Sequence, residues 1–417
     1  MTGKEKVRNA VSHKEGKIPL DFGATCVTGM HASIIEKLRE YYGLDKKPVK
    51  IVETIQMIGY IEDDLKEILG VDTVDLWAPF TAYGYKNEDW KEWKTPWGQT
   101  VLVGGGFTVD EQDGNTRIYA CGDTGFPPAA VMPSKGFFFD NTMRQEEIDE
   151  NNLNFMDNTE EFAYVDDDFI EQLKTDAKKL ENSTKYVAGL IGGTPLGDAA
   201  LVPGPMLRRP KGIRDLKEWY ASMVARPGYI RQIFEYQMEI AIKNHEKIFG
   251  AIGNAFDMLY VCGSDFGTQN SLMYSPKVFR EVFLPYYKMF NDWVHKNTEW
   301  KTFKHSCGSV EPLFPMFIEA GFDVINPVQW SAKNMDRKML KEKYGDNIVF
   351  WGGGVDTQRT LPFKTAKEVR EEVIETCEIL GKGGGFVFNT VHNIVPGTPV
   401  ENIVAMVDAL HEFNGDN

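Results

Sequence analysis

The feature that most constrains the fold is an alternation of short, continuous apolar runs with helix-length amphipathic segments, which extends from about residue 186 to the end of the chain. This pattern is typical of βα units around a parallel sheet, whose strands are apolar throughout because helices cover both faces of the sheet. We predict parallel strands at 71–77, 186–191, 255–261, 301–305, 322–328, 348–351 and 385–389. Seven or eight such strands predict an α/β fold of the TIM (β/α)8 barrel type.

The remaining segments are expected to elaborate this barrel within a single domain, 1–417. We expect helices over 51–69 and 276–296, a helix from Thr365 to about Leu380, and a last helix that begins at Pro399. Residues 80–140 carry clustered tryptophans and a turn at Asp113-Gly114-Asn115, which indicates a hairpin-rich insertion near the N-terminal end of the barrel. Residues 141–170 are acidic and are expected to form a surface helix pair.

Charge and cysteine content exclude several classes of function. The formal net charge is -15, so no general positive field exists to hold nucleic acid or an anionic membrane. No apolar run approaches the roughly 20 residues that cross a bilayer, and the first residues are polar, so we expect a cytoplasmic protein. Five scattered cysteines are too few for a disulfide framework, which suits a reducing compartment.

Polar residues follow the predicted strands one after another. In a TIM barrel the active site lies at the carboxyl ends of the strands, so these residues are expected to line one pocket. The segments in question are Gly192-Gly193-Thr194, Cys262-Gly263-Ser264-Asp265, His305-Ser306-Cys307-Gly308, Asn326-Pro327-Val328-Gln329, Gly354-Val355-Asp356 and Asn389-Thr390-Val391-His392.

The most specific chemistry in this set is the pair His305 and Cys307. An imidazole and a thiolate two residues apart at a strand end suit a cation such as Zn²⁺, and a catalytic zinc needs about three protein ligands. His392, after the last strand, is the best third ligand, with Asp356, Asp265, Cys262 and Cys26 in reserve. A buried, metal-free His and Cys pair is the alternative.

Other residues are candidates for contact with a substrate. Asp265 and Gln269 either act as acid, base or orienting groups, or cap the following helix. The tryptophans 77, 90, 93 and 97 either pack in the core or roof the barrel mouth for a planar ligand, and His31 is a candidate pocket residue.

Four segments together resemble the uroporphyrinogen decarboxylase superfamily, which forms TIM barrels: GSDFGTQNSLMYSPKVFREVFLPYYK, KHSCGSVEPLFPMFIEAGFDVINPVQ, DNIVFWGGGVDTQRTLP and GGGFVFNTVHNIVPGTPVENI. The N-terminal segments KIPLDFGATCVTGMHAS and LGVDTVDLWAPF are similar to the branch of corrinoid-dependent methyltransferases. Two departures separate the chain from the decarboxylases themselves. No arginine follows Ile18-Pro19, and Pro79 stands at about the position of the catalytic Asp.

The resemblance implies a zinc-dependent methyltransferase. His305 and Cys307 match the family's H-x-C zinc ligands, and His392 stands where the family often has Cys. An imidazole in place of a thiolate leaves the zinc a stronger Lewis acid for an oxygen. We therefore expect a methyl ether, such as a methoxylated aromatic, to donate its methyl group to cob(I)alamin and form methylcobalamin. The chain lacks a D-x-H-x-x-G corrinoid motif, so a separate corrinoid protein is the expected partner. A homodimer is compatible with the family.

In this interpretation Asp265 and Asp356 are the catalytic side chains. The substrate is contacted by His31, Trp77, Gln269, Gln329 and Asn389. The alternatives are transfer from a methylated corrinoid to a thiol of the coenzyme M kind, and a binding barrel without catalysis.

Overall fold

The computed structural model describes residues 1–416. Its strands are β1 (Val49–Glu53), β2 (Ile58–Gly59), β3 (Thr73–Trp77), β4 (Lys91–Lys94), β5 (Thr100–Val103), β6 (Val109–Gln112), β7 (Asn115–Ile118), β8 (Ala130–Met132), β9 (Asp140–Asn141), β10 (Tyr186–Leu190), β11 (Met258–Cys262), β12 (Lys301–His305), β13 (Val324–Asn326), β14 (Val349–Trp351) and β15 (Phe386–Val387).

Seven of these strands form one parallel sheet, in the order β15-β14-β13-β12-β11-β10-β3. They coincide with the seven strands predicted from the apolar runs. Their side chains alternate between two cores: Val349 and Trp351 belong to the core inside the sheet, whereas Phe350 belongs to the core under the helices. Burial on both faces explains why these strands read as continuous apolar runs.

Residues 18–22 close the sheet into a barrel. The Phe388 N–H donates to Pro19 O at 2.8 Å and the Asp21 N–H donates to Phe388 O at 2.9 Å, which joins this segment to the end of β15. On the other side the Asp72 N–H donates to Leu20 O at 2.8 Å, just before β3. The segment therefore takes the eighth position, and the molecule is a TIM barrel, as predicted.

The helices are α1 (Gly3–Val11), α2 (Ala32–Tyr41), α3 (Asp63–Leu69), α4 (Asp167–Lys179), α5 (Leu216–Ala225), α6 (Pro227–Ile252), α7 (Pro276–Val278), α8 (Leu284–Asn297), α9 (Phe314–Glu319), α10 (Arg337–Tyr344), α11 (Thr360–Phe363), α12 (Ala366–Leu380) and α13 (Val400–Phe413). The predicted helix starts are confirmed. Ser275 accepts the Val278 N–H, a capping box joins Thr365 to Glu368, and Pro399 precedes α13. A π-helical turn, Phe279–Phe283, joins α7 to α8.

The N-terminal elaboration consists of two small sheets. Strands β2-β1-β5-β4 form one and the antiparallel meander β6-β7-β8-β9 forms the other, which confirms the predicted hairpins. The predicted helix over 51–69 is wrong except for α3. Ile51 and Glu53 instead pair with Gly59 and Ile58 of β2, in a strand β1 whose Val49 and Lys50 pair in parallel with β5. Sheet pairing with a strand fifty residues away outweighs the local helical pattern.

The predicted helix pair in 141–170 is also wrong. This segment contains one 3-10 turn, Phe155–Asn158, and only the first residues of α4. Asp166 caps α4, whereas Asp149 and Asn154 each accept a backbone N–H two residues ahead with their own side chains. Such local bonds compete with helix formation and favour turns.

One apolar core runs through both the helix layer and the elaboration. It includes Phe350 and Phe388 near the barrel strands as well as Tyr83, Phe107 and Phe139 of the elaboration. No helix within residues 1–416 has the length and apolar character needed to span a bilayer. The proposed single-domain organisation remains a prediction, which the shared core supports.

Candidate metal centre

The three predicted metal ligands meet at the carboxyl ends of the barrel strands, which we call the barrel mouth. His305 ends β12, Cys307 lies two residues beyond it, and His392 follows β15. One ligand atom from each side chain lies within 4.8 Å of the other two. The Cys307 Sγ is 3.4 Å from His305 Nε2, and the two imidazole ring centres are 5.3 Å apart. The described residues hold no other cluster of this kind among His, Cys, Asp and Glu.

Asn326 fixes the direction of the His305 ring. Its Oδ1 lies 2.6 Å from His305 Nδ1, and its Nδ2 donates to Trp351 O at 2.8 Å. With Nδ1 donating to the amide oxygen, Nε2 carries a free lone pair, and this nitrogen faces Cys307. Gly352 makes room for the amide, because a Cβ there would lie 2.9 Å from Asn326 Nδ2.

Side chains from neighbouring loops hold the His305-Ser306-Cys307-Gly308 segment in place. Asp265 Oδ1 accepts the Cys307 N–H at 2.7 Å and lies 3.7 Å from His305 Nε2. Gln329 Oε1 accepts the Gly308 N–H at 2.7 Å, while its Nε2 donates to Gln269 Oε1 at 3.1 Å. Asp265 does not cap the next helix, since Ser275 does so. Asp265 thus touches two of the predicted ligands, whereas Gln329 and Gln269 support the loop that carries them.

Burial controls the protonation of the ligands. It lowers the pKa of His305 to about 3 and that of His392 to about 4, so both imidazoles are neutral at pH 7. Burial also raises the pKa of the Cys307 thiol well above its usual range, with the Asp265 carboxyl adding to the effect. A metal ion is the partner that would displace this proton, because thiolate is the ligating form.

Two neutral imidazoles and one thiol within 4.8 Å fit a Zn²⁺ site with an open fourth position. The hydrogen bond from His305 to Asn326 matches the second interaction that zinc-bound histidines make with their other ring nitrogen. Asp265 lies at the edge of this set and supplies an oxygen that can contact a ligand in the fourth position.

Two predicted residues at strand ends are not joined to the cluster. Asp356 is buried, and its side chain accepts the Gln358 N–H at 2.7 Å. Its own N–H donates to Glu372 Oε1 at 2.8 Å, so its contacts shape the turn after β14. Asn389 donates to Asp21 O and Thr28 O, which ties β15 to the N-terminal segment. Among residues 1–416 neither side chain is hydrogen-bonded to a predicted ligand.

His31 is buried, and the tryptophans 77, 90, 93 and 97 are half-buried. His31 is fully buried, begins α2 by accepting the Ser33 N–H, and lies against Trp97 and Phe137. Trp93 packs on Phe107, and Trp77 Nε1 donates to Ala24 O at 3.1 Å. The packing interpretation of these aromatic residues therefore fits the structure better than a roof over a ligand.

Two residues next to the predicted ligands, Asn326 and Lys304, received no role from the sequence alone. Asn326 was visible as one polar residue at a strand end, but its pairing with His305 depends on the register of β12 and β13. Lys304 is fully buried in β12, and its Nζ donates to the carbonyls of Ser264 and His305. The only sequence signal for the importance of Lys304 was the presence of a lysine inside a strand that is predicted to be buried.

The chain is similar to known proteins in both sequence and fold. A family model described as uroporphyrinogen decarboxylase (URO-D) matches residues 206–413, which include all three predicted ligands. The chain belongs to the uroporphyrinogen decarboxylase superfamily. This membership confirms the resemblance inferred from the sequence motifs.

Curated relatives in the superfamily match a short part of the chain. The uroporphyrinogen decarboxylase of Psychromonas ingrahamii is 32% identical over 96 residues, and that of Methylococcus capsulatus is 28% identical over 96 residues. Each match covers 23% of this chain and 25% of the relative. The matched stretch therefore spans a quarter of the length of these relatives, and their activity does not transfer with it.

A solved structure covers the whole chain. A methyltransferase from Methanosarcina mazei superposes with a TM-score of 0.57 and 15% identity, over 99% of both chains. At this identity the match shows that the two proteins share a fold.

Proposed function

We propose that this superfamily member is a zinc-dependent methyltransferase, which moves a methyl group from a methyl ether to the cobalt of a corrinoid on a separate protein. A methoxylated aromatic is the expected donor. The cob(I)alamin cobalt supplies the electron pair of the new Co–C bond to the methyl group. The C–O bond breaks, and the ether oxygen keeps the electron pair of that bond and takes a proton.

The observation that carries this proposal is the meeting of His305, Cys307 and His392 at the barrel mouth. Zn²⁺ held there would supply a Lewis acid that takes up charge on the departing oxygen. A set with one thiolate and two neutral imidazoles leaves more positive charge at the site than a set with two thiolates. That balance suits an oxygen leaving group.

The protein's own side chains have separate tasks in this scheme. Asn326 orients His305 through the 2.6 Å contact at Nδ1. Asp265, 3.7 Å from His305 Nε2, is placed to contact the donor oxygen or the proton that it gains. The strand end after β3 carries Pro79 and no carboxylate, which argues against decarboxylation by the family's namesake reaction.

Metal analysis of the purified protein tests the proposal. We expect about one zinc ion per chain, and loss of that zinc in His305→Ala, Cys307→Ala and His392→Ala. His411→Ala and Cys377→Ala, which change a histidine and a buried thiol remote from the mouth, are the matched controls and should keep the metal. Zinc-loaded protein should then methylate cob(I)alamin with a methoxylated arene as donor.

The competing functions give different results. A protein that takes up no zinc, even when zinc is added, would favour a binding barrel without catalysis. Methylation of a thiol from methylcobalamin, without demethylation of ethers, would favour transfer in the opposite direction.

A further inference from the structure

Lys304 is a fully buried lysine beside the predicted ligand His305, and no step of the proposed function uses it. It lies in β12 between His305 and Phe303, which belongs to the core inside the barrel. The Lys304 side chain points toward the helix layer, where its Nζ lies 4.9 Å from the ring centre of Phe266 and 5.9 Å from that of Tyr287. Burial of an amine among such rings is unfavourable unless the amine has partners, so the bonds that it makes are informative.

The structure describes a second buried lysine, whose partner is of a different kind. The Nζ of Lys66 in α3 forms an ion pair with Asp75 Oδ1 at 3.2 Å. The Nζ of Lys304 instead donates to two backbone carbonyls, that of Ser264 at 2.5 Å and that of His305. Within residues 1–416 no carboxylate oxygen lies within 4.0 Å of the Lys304 Nζ. The Lys304 amine is therefore placed to hold backbone, not to form an ion pair.

The two carbonyls lie where strands β11 and β12 separate. The ladder between these strands ends at the pair Cys262 and Lys304, after an irregular step between Tyr260 and Cys262. On its other side β12 continues one residue further, to the pair that His305 forms with Asn326 of β13. Ladder bonds thus fix the end of β12 against β13, but they do not fix the loop after β11 against the end of β12.

Three hydrogen bonds that involve side chains join the two segments beyond this ladder. The Lys304 Nζ holds Ser264 O, the Phe266 N–H donates to Ser306 Oγ at 2.9 Å, and the Cys307 N–H donates to Asp265 Oδ1 at 2.7 Å. The first bond holds the residue just before Asp265, and the third reaches the predicted ligand Cys307. Lys304 therefore fixes the backbone from which Asp265 reaches Cys307.

We propose that Lys304 is a positioning residue of the metal site, which holds the Asp265 loop against the segment from His305 to Cys307 by bonding a carbonyl of each. The inference rests on the zinc site of the proposed function. Without the amine, the buried Ser264 carbonyl loses its donor, and the loop is free to move away from β12. Asp265 then no longer holds the Cys307 N–H, and the spacing of the two ligands on this segment is no longer fixed. Lys304 thus acts on the metal through Asp265.

Zinc affinity, titrated against a competing chelator, tests this role in a double-mutant cycle. Lys304→Met removes the amine and keeps a straight apolar side chain, and Asp265→Ala removes the carboxylate. We expect each substitution alone to lower zinc affinity by about 10-fold, as the loss of a group that orients metal ligands does. Because both substitutions break the same arrangement, the double variant should also lose about 10-fold, whereas independent effects would give about 100-fold.

Lys66→Met is the matched control, because it removes the amine of a buried lysine that bonds Asp75 and none of the predicted ligands. This variant leaves the Asp75 carboxylate without its partner, so urea unfolding should show a clear loss of stability. Its zinc affinity should stay within about twofold of that of the parent protein. Zinc affinity that falls in parallel with stability in both lysine variants would show that Lys304 only supports the fold, and would overturn the proposal.

Lys304→Gln guards against a folding defect in Lys304→Met. The amide keeps an N–H donor for one carbonyl, so we expect a zinc affinity between those of the parent protein and Lys304→Met. The cycle with Asp265→Ala is run with both Lys304 variants. Additive losses for the two positions, an unchanged zinc affinity in the Lys304 variants, or a parent protein that takes up no zinc would overturn the proposal.

Methyl transfer to cob(I)alamin from a methoxylated arene, assayed with the zinc-loaded parent protein, separates failure of this inference from failure of the proposed function. Methyl transfer together with additive losses of zinc affinity leaves the function and removes the role of Lys304. Coupled losses of zinc affinity, without any methyl transfer, leave the role of Lys304 and remove the function.

Discussion

At the scale of single residues, Asn326 decides how His305 presents its lone pair. Its side chain is fully buried, bonds His305 Nδ1 and donates to Trp351 O. We predict that Asn326→Ala lowers zinc affinity by about 10- to 100-fold, because the ring loses the partner that sets its tautomer and orientation. Zinc titration with a competing chelator measures this, and saturating zinc should still give about one ion per chain.

Asn291→Ala is the control for this prediction. Asn291 is also fully buried and donates to a backbone carbonyl, that of Ala320, but it lies in α8, away from the mouth. Both variants are expected to lose stability to a similar extent, and only Asn326→Ala should lose zinc affinity. Equal affinities in the two variants would contradict an orienting role for Asn326.

At the scale of elements, Asp323 joins the beginnings of β12 and β13. It accepts hydrogen bonds from His295, Lys301 and Thr302. Burial alone would raise its pKa, but these bonds bring the pKa down to about 2. A carboxyl depressed from about 3.9 to about 2 contributes roughly 2 kcal/mol above pH 4. This contribution is lost as the pH falls from about 4 toward 2.

Urea unfolding should therefore show that Asp323→Asn lowers the free energy of unfolding by about 2 kcal/mol at pH 7. The difference in the free energy of unfolding between the variant and the parent protein should decrease as the pH falls below about 4. Asp168→Asn, an exposed carboxylate in the first turn of α4, should change stability by less than about 0.5 kcal/mol. A gap for Asp323→Asn that stays constant between pH 7 and pH 3 would contradict the assigned pKa.

At the scale of the whole molecule, the barrel and its elaboration share one core. Phe139 is buried, packs near Tyr83 and Phe107, and donates its N–H to Ile55 O at 2.9 Å. We predict that Phe139→Ala destabilises the entire protein by about 3–5 kcal/mol. Circular dichroism and tryptophan fluorescence should report one coincident unfolding transition, because no part can lose this core alone.

Phe80→Ala provides the comparison, since Phe80 lies in the same elaboration but is 53% exposed. Phe80→Ala should lower the free energy of unfolding by less than about 1 kcal/mol. Two separated unfolding transitions in the parent protein would show that the elaboration is a domain of its own. The same conclusion would follow if Phe139→Ala lowered the unfolding midpoint in only one of the two signals, circular dichroism or tryptophan fluorescence.

The sequence by itself determined the barrel strands and the three residues that meet as the predicted metal ligands. Strands covered on both faces must be apolar throughout, so their positions are written in a local pattern, as in β13 and β14. Parallel strands bring their carboxyl ends to one edge, so His305, Cys307 and His392 could be placed together from their positions after strands. Helix starts such as Thr365 depend on contacts three residues apart, which a sequence also displays.

The tertiary structure alone decided the pairing of β1 with β5 and the bond between Asn326 and His305. It also showed that Asp356 and His31 are buried, and that their side chains bond to neighbouring backbone N–H groups. The strand pairing and the bond to His305 join residues that are far apart in the chain. Their contacts follow from barrel closure and strand register, because local patterns encode which side chains are buried but not which buried side chains meet.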